Sequence, residues 1–349
     1  MRIAIVNDLA LARAVLRRVV ESVPGYVVAW TAEDGAQAVR LAGADRPDVI
    51  LMDLVMPVMS GEEATRRIMT ACPCPILIVT ASVGANFGRV YEALGAGGLD
   101  AVQTPTFSPD GQVRDAEALL DRLAKLAQAQ NGPAATWCGT PATAPAPARF
   151  GLPLLAIGAS TGGPEAIAQV LAALAPRPPA PVLVVQHIAA DFVPGLATWL
   201  QARTGLTVRL AREGTAPEVG KVDVACSNDH LILGRDQRFV YTPEPRAYPF
   251  RPSVDVLFES LATVGPRSGV AVLLTGMLSD GARGLACLRK LGWHTIAQDE
   301  ATSVVYGMPR VAAEMNAAVE ILPLPRIGAA VVNRLDLLTR VAPRPTRPG

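Results

Sequence analysis

Ser160 stands in Gly158-Ala159-Ser160-Thr161-Gly162-Gly163-Pro164, directly after the apolar run Leu154-Leu155-Ala156-Ile157. A buried strand that breaks through Gly-x-Ser-x-Gly into a helix lifts a hydroxyl onto a sharp turn at the carboxyl edge of a sheet. Pro164 suits the first helical position. A serine hydroxyl is a weak nucleophile until a base takes its proton, and the chain offers three histidines. His187 follows the apolar run Val182–Gln186 and falls on the same sheet edge as Ser160. His230 opens a short β-like run and is the second choice. His294 precedes a strand and falls on the opposite edge. The base needs a third group to fix its tautomer and stabilise the imidazolium. Asp280, in Thr275-Gly276-Met277-Leu278-Ser279-Asp280-Gly281, follows a buried strand among glycines that permit close backbone approach; Asp299 is the runner-up. The bland alternatives are a histidine closing a strand and an aspartate capping a helix.

The order Ser160, His187, Asp280 differs from the Ser, acid, His order of α/β-hydrolases, which disfavours that fold despite the matching elbow. A dinucleotide loop would need Gly-x-Gly-x-x-Gly and an acidic residue ending the second strand. The chain instead has Ala159 and Ser160 among its glycines, and Gln186-His187 where the acid would stand.

A second polar set lies near the start of the chain. Asp8 follows the first apolar strand, Asp53 the third and Thr80 the fourth. Two carboxylates and a hydroxyl at adjacent strand ends make an oxygen-donor site for a hard cation such as Mg²⁺.

Both sets need sheets to position them. In the first part, strands are expected at Arg2–Val6, Tyr26–Thr31, Asp48–Met52, Pro75–Thr80 and Ala101–Thr104. Helices are expected at Leu11–Ser22, from Asp34 to about Leu41, and at Gly61–Met69, Gly84–Leu94 and Asp115–Ala129. Such alternation implies an α/β fold with a parallel, doubly wound sheet, whose ligands bind outside the strand carboxyl ends. Residues 126–150 read as a linker: Asn131–Arg149 is rich in Ala, Pro, Thr and Gly, and Ala144–Ala148 alternates Ala with Pro, a composition favouring extended polyproline-like backbone. From residue 151 to about 345 a second α/β unit is expected. Its strands are Leu154–Gly158, Val182–Gln186, Val208–Ala211, Val270–Leu274, Thr295–Ala297 and Val319–Leu322. The runs Val222–Cys226, Leu231–Leu233 and Phe239–Tyr241 read as antiparallel hairpins beside the parallel sheet, and the tail after Leu338 as frayed.

Composition bounds the rest. In 349 residues, half hydrophobic and with a formal net charge of +1, there is material for two cores and no basic surface for nucleic acid or membrane lipid. No apolar run approaches the roughly 20 residues of a membrane span. Met1-Arg2 leads straight into a strand, so no signal peptide is expected. Cys72, Cys74, Cys138, Cys226 and Cys287 are odd in number and scattered, as expected of a reduced cytoplasmic protein. Cys72-Pro-Cys74 has the wrong spacing for a zinc knuckle.

Residues 1 to about 125 resemble the response-regulator receiver family through Asn7-Asp8, Leu51–Pro57, Ser60-Gly61 and Thr80-Ala81. The resemblance implies that Asp53 accepts a phosphoryl group from a chemosensory histidine kinase, that Asp8 and Asp53 hold Mg²⁺, and that Thr80 hydrogen-bonds the phosphate. Three positions depart from the family pattern. Asn7 replaces one acid of the usual pair, Thr104 stands where the family has lysine before proline, and Ala101 stands where it carries a switch aromatic. The second unit resembles the catalytic domain of chemotaxis protein-glutamate methylesterases through Gly158–Gly163, Gln186-His187, Leu274–Gly281, Gln298-Asp299-Glu300 and Tyr306-Gly307-Met308-Pro309. That resemblance implies a Ser160/His187/Asp280 triad with Thr161 close by and the Met277 amide as oxyanion donor. It implies no cofactor in this domain, and methyl-accepting chemoreceptors as substrate for demethylation and glutamine deamidation. The receiver would control access to Ser160. The missing lysine and aromatic suggest a branch serving an alternative chemosensory pathway. The competing function is a regulatory adaptor whose second domain binds a partner without turnover.

Overall fold

The computed structural model describes residues 1–81, 87–131, 152–246, 248 and 250–341. The chain divides into two compact units, Met1–Pro133 and Ala134–Gly349.

In the first unit β1 (Arg2–Val6), β2 (Val27–Ala32), β3 (Val49–Met52), β4 (Ile76–Thr80) and β5 (Asp100–Gln103) alternate with α1 (Ala10–Glu21), α2 (Gly35–Ala44), α3 (Gly61–Ala71), α4 (Phe87–Gly95) and α5 (Glu117–Asn131). All strand pairs are parallel, in the order β2-β1-β3-β4-β5. β3 and β4 are buried at every residue, which is why they read as unbroken apolar runs rather than alternating ones. Asp34 and Ser60 cap α2 and α3, accepting from the Gln37 and Glu63 amides; the capping hydroxyl or carboxylate satisfies a free first-turn N–H. A small hairpin absent from the sequence reading, β6 (Thr106–Phe107) with β7 (Val113–Arg114), precedes α5. The expected helix start at Gly84 lies outside the described residues, as does the linker beyond Asn131.

The second unit contains a seven-stranded parallel sheet. Its strands in chain order are β8 (Leu154–Ala159), β9 (Val182–Gln186), β10 (Thr207–Leu210), β11 (Lys221–Val224), β14 (Gly269–Leu273), β15 (His294–Gln298) and β16 (Glu320–Leu322). In space they run β10-β11-β9-β8-β14-β15-β16. β12 (His230–Leu233) and β13 (Phe239–Thr242) form an antiparallel hairpin. The Val222 run, expected in a hairpin, is instead a parallel strand between β9 and β10. Its buried Asp223 is matched by Arg209 of β10, a pairing that a single-strand reading cannot see. Around this sheet lie α6 (Gly163–Ala172), α7 (Val193–Thr204), α8 (Val254–Val264), α9 (Ala282–Lys290), α10 (Met308–Glu314) and α11 (Leu324–Val341). The core between the sheet, α8 and α9 is dry, built from Leu183, Val185, Leu257, Phe258, Leu273 and Leu285 among others.

α11 continues to Val341, three residues into the tail expected to fray after Leu338; the rest of that tail lies outside the described residues. Pro325 falls in the first turn of α11, where a missing N–H is harmless. Ile327, Val331 and Leu335 are buried at helical spacing. Gly328 lets the helix approach α6, because a Cβ there would lie 2.6 Å from Ala173 Cβ.

Both sheets reverse their winding beside a central strand. The chain moves outward from β8 to β9 on one side and returns to β14 on the other, and β1 is flanked by β2 and β3 in the same way. Such switch points open crevices at the strand carboxyl ends. Ser160 and Asp8 follow directly at those ends.

Candidate active site

Ser160 leaves β8 with its amide donating to Thr275 O at 3.0 Å and its carbonyl accepting from Gly163 N at 2.8 Å. Gln186 Nε2 also donates to that carbonyl, at 2.8 Å, and to His187 O at 3.0 Å. The serine turn is thus pinned from β9 and from β14 at once. Gly162 closes the turn at φ 77° as the N-cap of α6, a left-handed conformation that costs a side-chain-bearing residue steric strain. A Cβ there would also meet Val304 Cβ at 2.7 Å.

The β8–β9 register pairs Ala159 with Gln186, and His187 N donates to Ala159 O at 3.0 Å. Ser160 and His187 are therefore the next register partners at the sheet edge. His187 Nε2 lies 2.7 Å from Asp280 Oδ2, with both side chains buried. Burial alone would raise the Asp280 carboxyl. The hydrogen bonds from His187 and Ser253 and the Asp255 amide outweigh it, and the carboxyl is held below its ordinary value. An ionised carboxylate only accepts, so Nε2 carries a proton and Nδ1 is the nitrogen left to accept one. That nitrogen is buried and has no partner among the described residues, as a base waiting for a substrate-linked proton would be.

Asp280 sits on the N-terminus of α8. Oδ1 accepts from Ser253 Oγ at 2.7 Å and from Asp255 N at 3.0 Å, while Oδ2 accepts from Val254 N at 2.7 Å. Free first-turn amides and the helix dipole favour an anion there. Ser253 caps α8 through Val256 N and in addition donates to Asp280. Next to it the buried Asp255 carboxyl is raised well above its ordinary value, by burial first and then by the Asp280 charge.

The alternatives separate cleanly. His230 accepts at Nδ1 from Ser253 N (3.1 Å) and faces Pro245 O with Nε2 (3.3 Å), so it braces the segment that holds Asp280. Asp299 accepts from Thr302 N and Oγ1 and closes a loop. His294 pairs with Glu320 at the other sheet edge.

Met277 follows Gly276, whose carbonyl accepts from Gly307 N at 3.0 Å and Met308 N at 2.8 Å. A carbonyl and the next amide point to opposite sides of one planar peptide. Fixing the Gly276 oxygen toward α10 therefore turns the Met277 N–H away from it. Gly276 lies against Ser160, since a Cβ would come within 2.7 Å of Ser160 Cβ. Leu278 adopts φ 65°, a sparsely populated conformation held by its surroundings. Thr161 is buried and its hydroxyl has no partner among the described residues. Three contributors escaped the sequence reading. Thr275 Oγ1 ties Thr161 O to Val305 N. Gln298 Oε1 accepts from Thr275 N. Phe250 stacks on His187 with centroids 4.7 Å apart and planes at 11°. Phe250 follows a proline-rich segment with no periodicity, so nothing in the sequence placed it.

In the first unit Asp8, Asp53 and Thr80 lie at the carboxyl ends of β1, β3 and β4. Asp53 Oδ1 accepts from Leu54 N at 2.7 Å and Oδ2 from Asn7 Nδ2 at 2.9 Å. Asn7 thus bonds the Asp53 carboxylate directly. Burial, with the nearby Asp8 charge also raising it, pushes the Asp53 carboxyl up to about 6 against the pull of the Leu54 amide. Thr80 is buried, Thr104 N donates to its carbonyl, and Ala101 is fully buried in β5. A buried carboxylate with a second carboxylate beside it fits a hard divalent cation, which takes one or two carboxylates and keeps waters. Among the described residues no group of three or more His, Cys, Asp or Glu converges on one point.

With this geometry in hand, comparison with known proteins is decisive. The CheB methylesterase family profile matches residues 155–331, and the response regulator receiver domain profile matches residues 3–108. The chain belongs to the CheB methylesterase family. It is 52% identical over 333 residues to the protein-glutamate methylesterase/protein-glutamine glutaminase 1 of Burkholderia lata, covering 94% of this chain and 97% of the relative. It is 48% identical over 344 residues to the corresponding protein of Mesorhizobium japonicum, covering 97% and 100%. The crystal structure of the Thermotoga maritima CheB methylesterase catalytic domain matches 52% of this chain and 98% of its own, with 32% identity and a TM-score of 0.51. The methylesterase domain is thus the second unit and the receiver domain the first. No helix among the described residues is long and apolar enough to cross a membrane.

Proposed function

We propose that Ser160, His187 and Asp280 carry out the family's reaction. The chain is a protein-glutamate methylesterase and protein-glutamine glutaminase with a receiver domain, acting in chemotaxis adaptation. The observation that carries the residue assignment is the buried Nε2–Asp280 hydrogen bond, which leaves Nδ1 of His187 bare beside the Ser160 turn.

The substrate is a γ-glutamyl methyl ester on the cytoplasmic domain of a methyl-accepting chemoreceptor. Ser160 Oγ attacks the ester carbonyl carbon as His187 Nδ1 takes its proton. The Met277 amide donates to the oxyanion; one such donor is worth roughly 3–4 kcal/mol. The tetrahedral intermediate collapses, the C–O bond to methoxide breaks, and His187 returns the proton so that methanol leaves. Water then attacks the acyl-enzyme with its proton passing to the same nitrogen, and the glutamate carboxylate and free Ser160 are released. A glutamine side chain follows the same path with ammonia as leaving group. Asp280 keeps its charge throughout and offsets that of the imidazolium.

Asp53 is the phosphoryl acceptor and a chemosensory histidine kinase the donor. Mg²⁺ held by Asp8 and Asp53 would supply charge neutralisation there. An Asp53 carboxylate oxygen attacks the phosphorus, and the Thr80 hydroxyl hydrogen-bonds the transferred group. Phosphorylation of the receiver raises access to Ser160. Asn7 and Thr104 in place of the acid and the lysine, and Ala101 in place of the aromatic, fit a branch serving an alternative chemosensory pathway. The test of the esterase assignment is methanol release from a methylated receptor fragment by full-length protein. Turnover is expected from the unsubstituted chain and none above background from Ser160→Ala; equal release by the two would refute it.

A further inference from the structure

We infer that Phe250 is a positioning residue of the His187–Asp280 pair, holding the imidazole plane by face-on stacking and favouring its protonated form during proton transfer. The inference deepens the proposed mechanism and rests on His187 as its base. Four observations support it. The Phe250 and His187 rings are nearly parallel, 11° apart, with centroids at 4.7 Å. The segment bearing Phe250 is fastened at both ends by one buried histidine: His230 faces Pro245 O with Nε2 and accepts from Ser253 N at Nδ1. The Tyr248 ring meets His230 edge-on at 5.8 Å between those anchors. Ser253, Val254 and Asp255, at the far end of the same segment, donate to Asp280. One clasped stretch of chain therefore sets both the plane of the base and the position of its acid.

The electrostatics follow from the ring. The face of a phenyl group carries negative potential and attracts a cation within about 6 Å of its centroid. A stacked Phe250 thus favours imidazolium over imidazole. The other groups around His187 are Asp280 from the β14–α9 loop, Asp255 and Glu259 of α8 behind Asp280, Arg283 of α9 between those two, and His230 of β12. Of these only Asp280 is bonded to the ring, and a change at Phe250 leaves that bond in place.

The test uses full-length protein and its three imidazoles, His187, His230 and His294, which give three separable signals in an NMR pH titration. Phe250→Leu and Phe250→Met keep apolar volume and remove the π face. In both, the His187 midpoint is expected to move to lower pH by roughly half to one and a half units, with His230 and His294 unmoved, and Phe250→Trp is expected to restore it. The acid limb of kcat/KM for methanol release should move by the same amount. A midpoint that stays or rises in the Leu and Met variants, or that Trp fails to restore while the His230 signal is native, overturns the inference. Absence of methanol release from the unsubstituted protein would refute the esterase assignment, and the titration would still decide the role of Phe250.

Discussion

Replacing Asp280 by asparagine tests the site at its most connected atom pair. The carboxylate accepts four hydrogen bonds: Ser253 Oγ and Asp255 N on Oδ1, His187 Nε2 and Val254 N on Oδ2. An amide of the same shape has one accepting oxygen and one donating NH₂. With NH₂ at the Oδ2 position it faces His187 and Val254 N, and the imidazole must move its proton to Nδ1, where it can no longer take one from Ser160. With NH₂ at the Oδ1 position Ser253 can turn to accept, but the Asp255 amide faces a donor. The first arrangement disrupts the base; the second leaves a buried N–H unpaired at a cost of about 1–3 kcal/mol. Neither supplies the negative charge that stabilises an imidazolium. The same exchange in a serine-protease triad lowers kcat about 10⁴-fold, equivalent to about 5.5 kcal/mol of transition-state stabilisation. Asp280→Asn is expected to lose kcat for methanol release on that scale with KM little changed, since Asp280 is buried behind the base and does not reach substrate. Activity within about tenfold of the unsubstituted protein would refute the assignment of Asp280 as the orienting acid.

Two further outcomes follow from the structure. Burial pushes the His230 imidazole below its ordinary 6.5, so the unfolded chain binds a proton that the folded one resists; stability should be intact above about 6.5 and fall as pH drops below it, and denaturant melts at pH 8 and pH 5 should differ less in His230→Gln. Asp53→Asn should abolish labelling of the full chain by a small phosphodonor with Mg²⁺, and equal labelling of the two proteins would remove Asp53 as the acceptor.

The parts of this protein that were legible in its sequence are those whose signal is local. Buried parallel strands such as Val49–Met52 and Val182–Gln186 are continuous apolar runs, and the polar residues that end them, Asp53 and His187, announce a sheet edge. Ser160 was legible because a nucleophile turn needs glycine at fixed offsets. What escaped is what depends on partners distant in sequence. β11 was mistaken for a hairpin strand because Asp223 interrupts its apolar pattern, and only Arg209 on the next strand explains why an aspartate can be buried there. α11 hid behind Pro325 and Gly328, which look like breakers until one falls in the first turn and the other lies against Ala173. Phe250 and His230 sit in or beside a proline-rich stretch whose course is set by contacts with β12 and α8 rather than by its own periodicity.

The two units solve opposite electrostatic problems with one architecture. Each places its chemistry at the carboxyl ends of strands flanking a switch point. In the receiver domain burial raises the Asp53 carboxyl and the neighbouring Asp8 charge adds to it, against the pull of the Leu54 and Val55 amides, so a cation or a protonated form is favoured. In the methylesterase domain Asp280 is more deeply buried, yet four donors and the N-terminus of α8 hold it ionised. The difference lies in the His187 partner and the α8 donors that Asp280 meets, not in depth of burial. A carboxylate that must bind metal and accept phosphorus has to keep its oxygens available, whereas one that must orient a base has every reason to have its own oxygens fully engaged. The partners around each aspartate therefore match the two roles proposed above, an acceptor beside a like charge and an orienting acid beside a base.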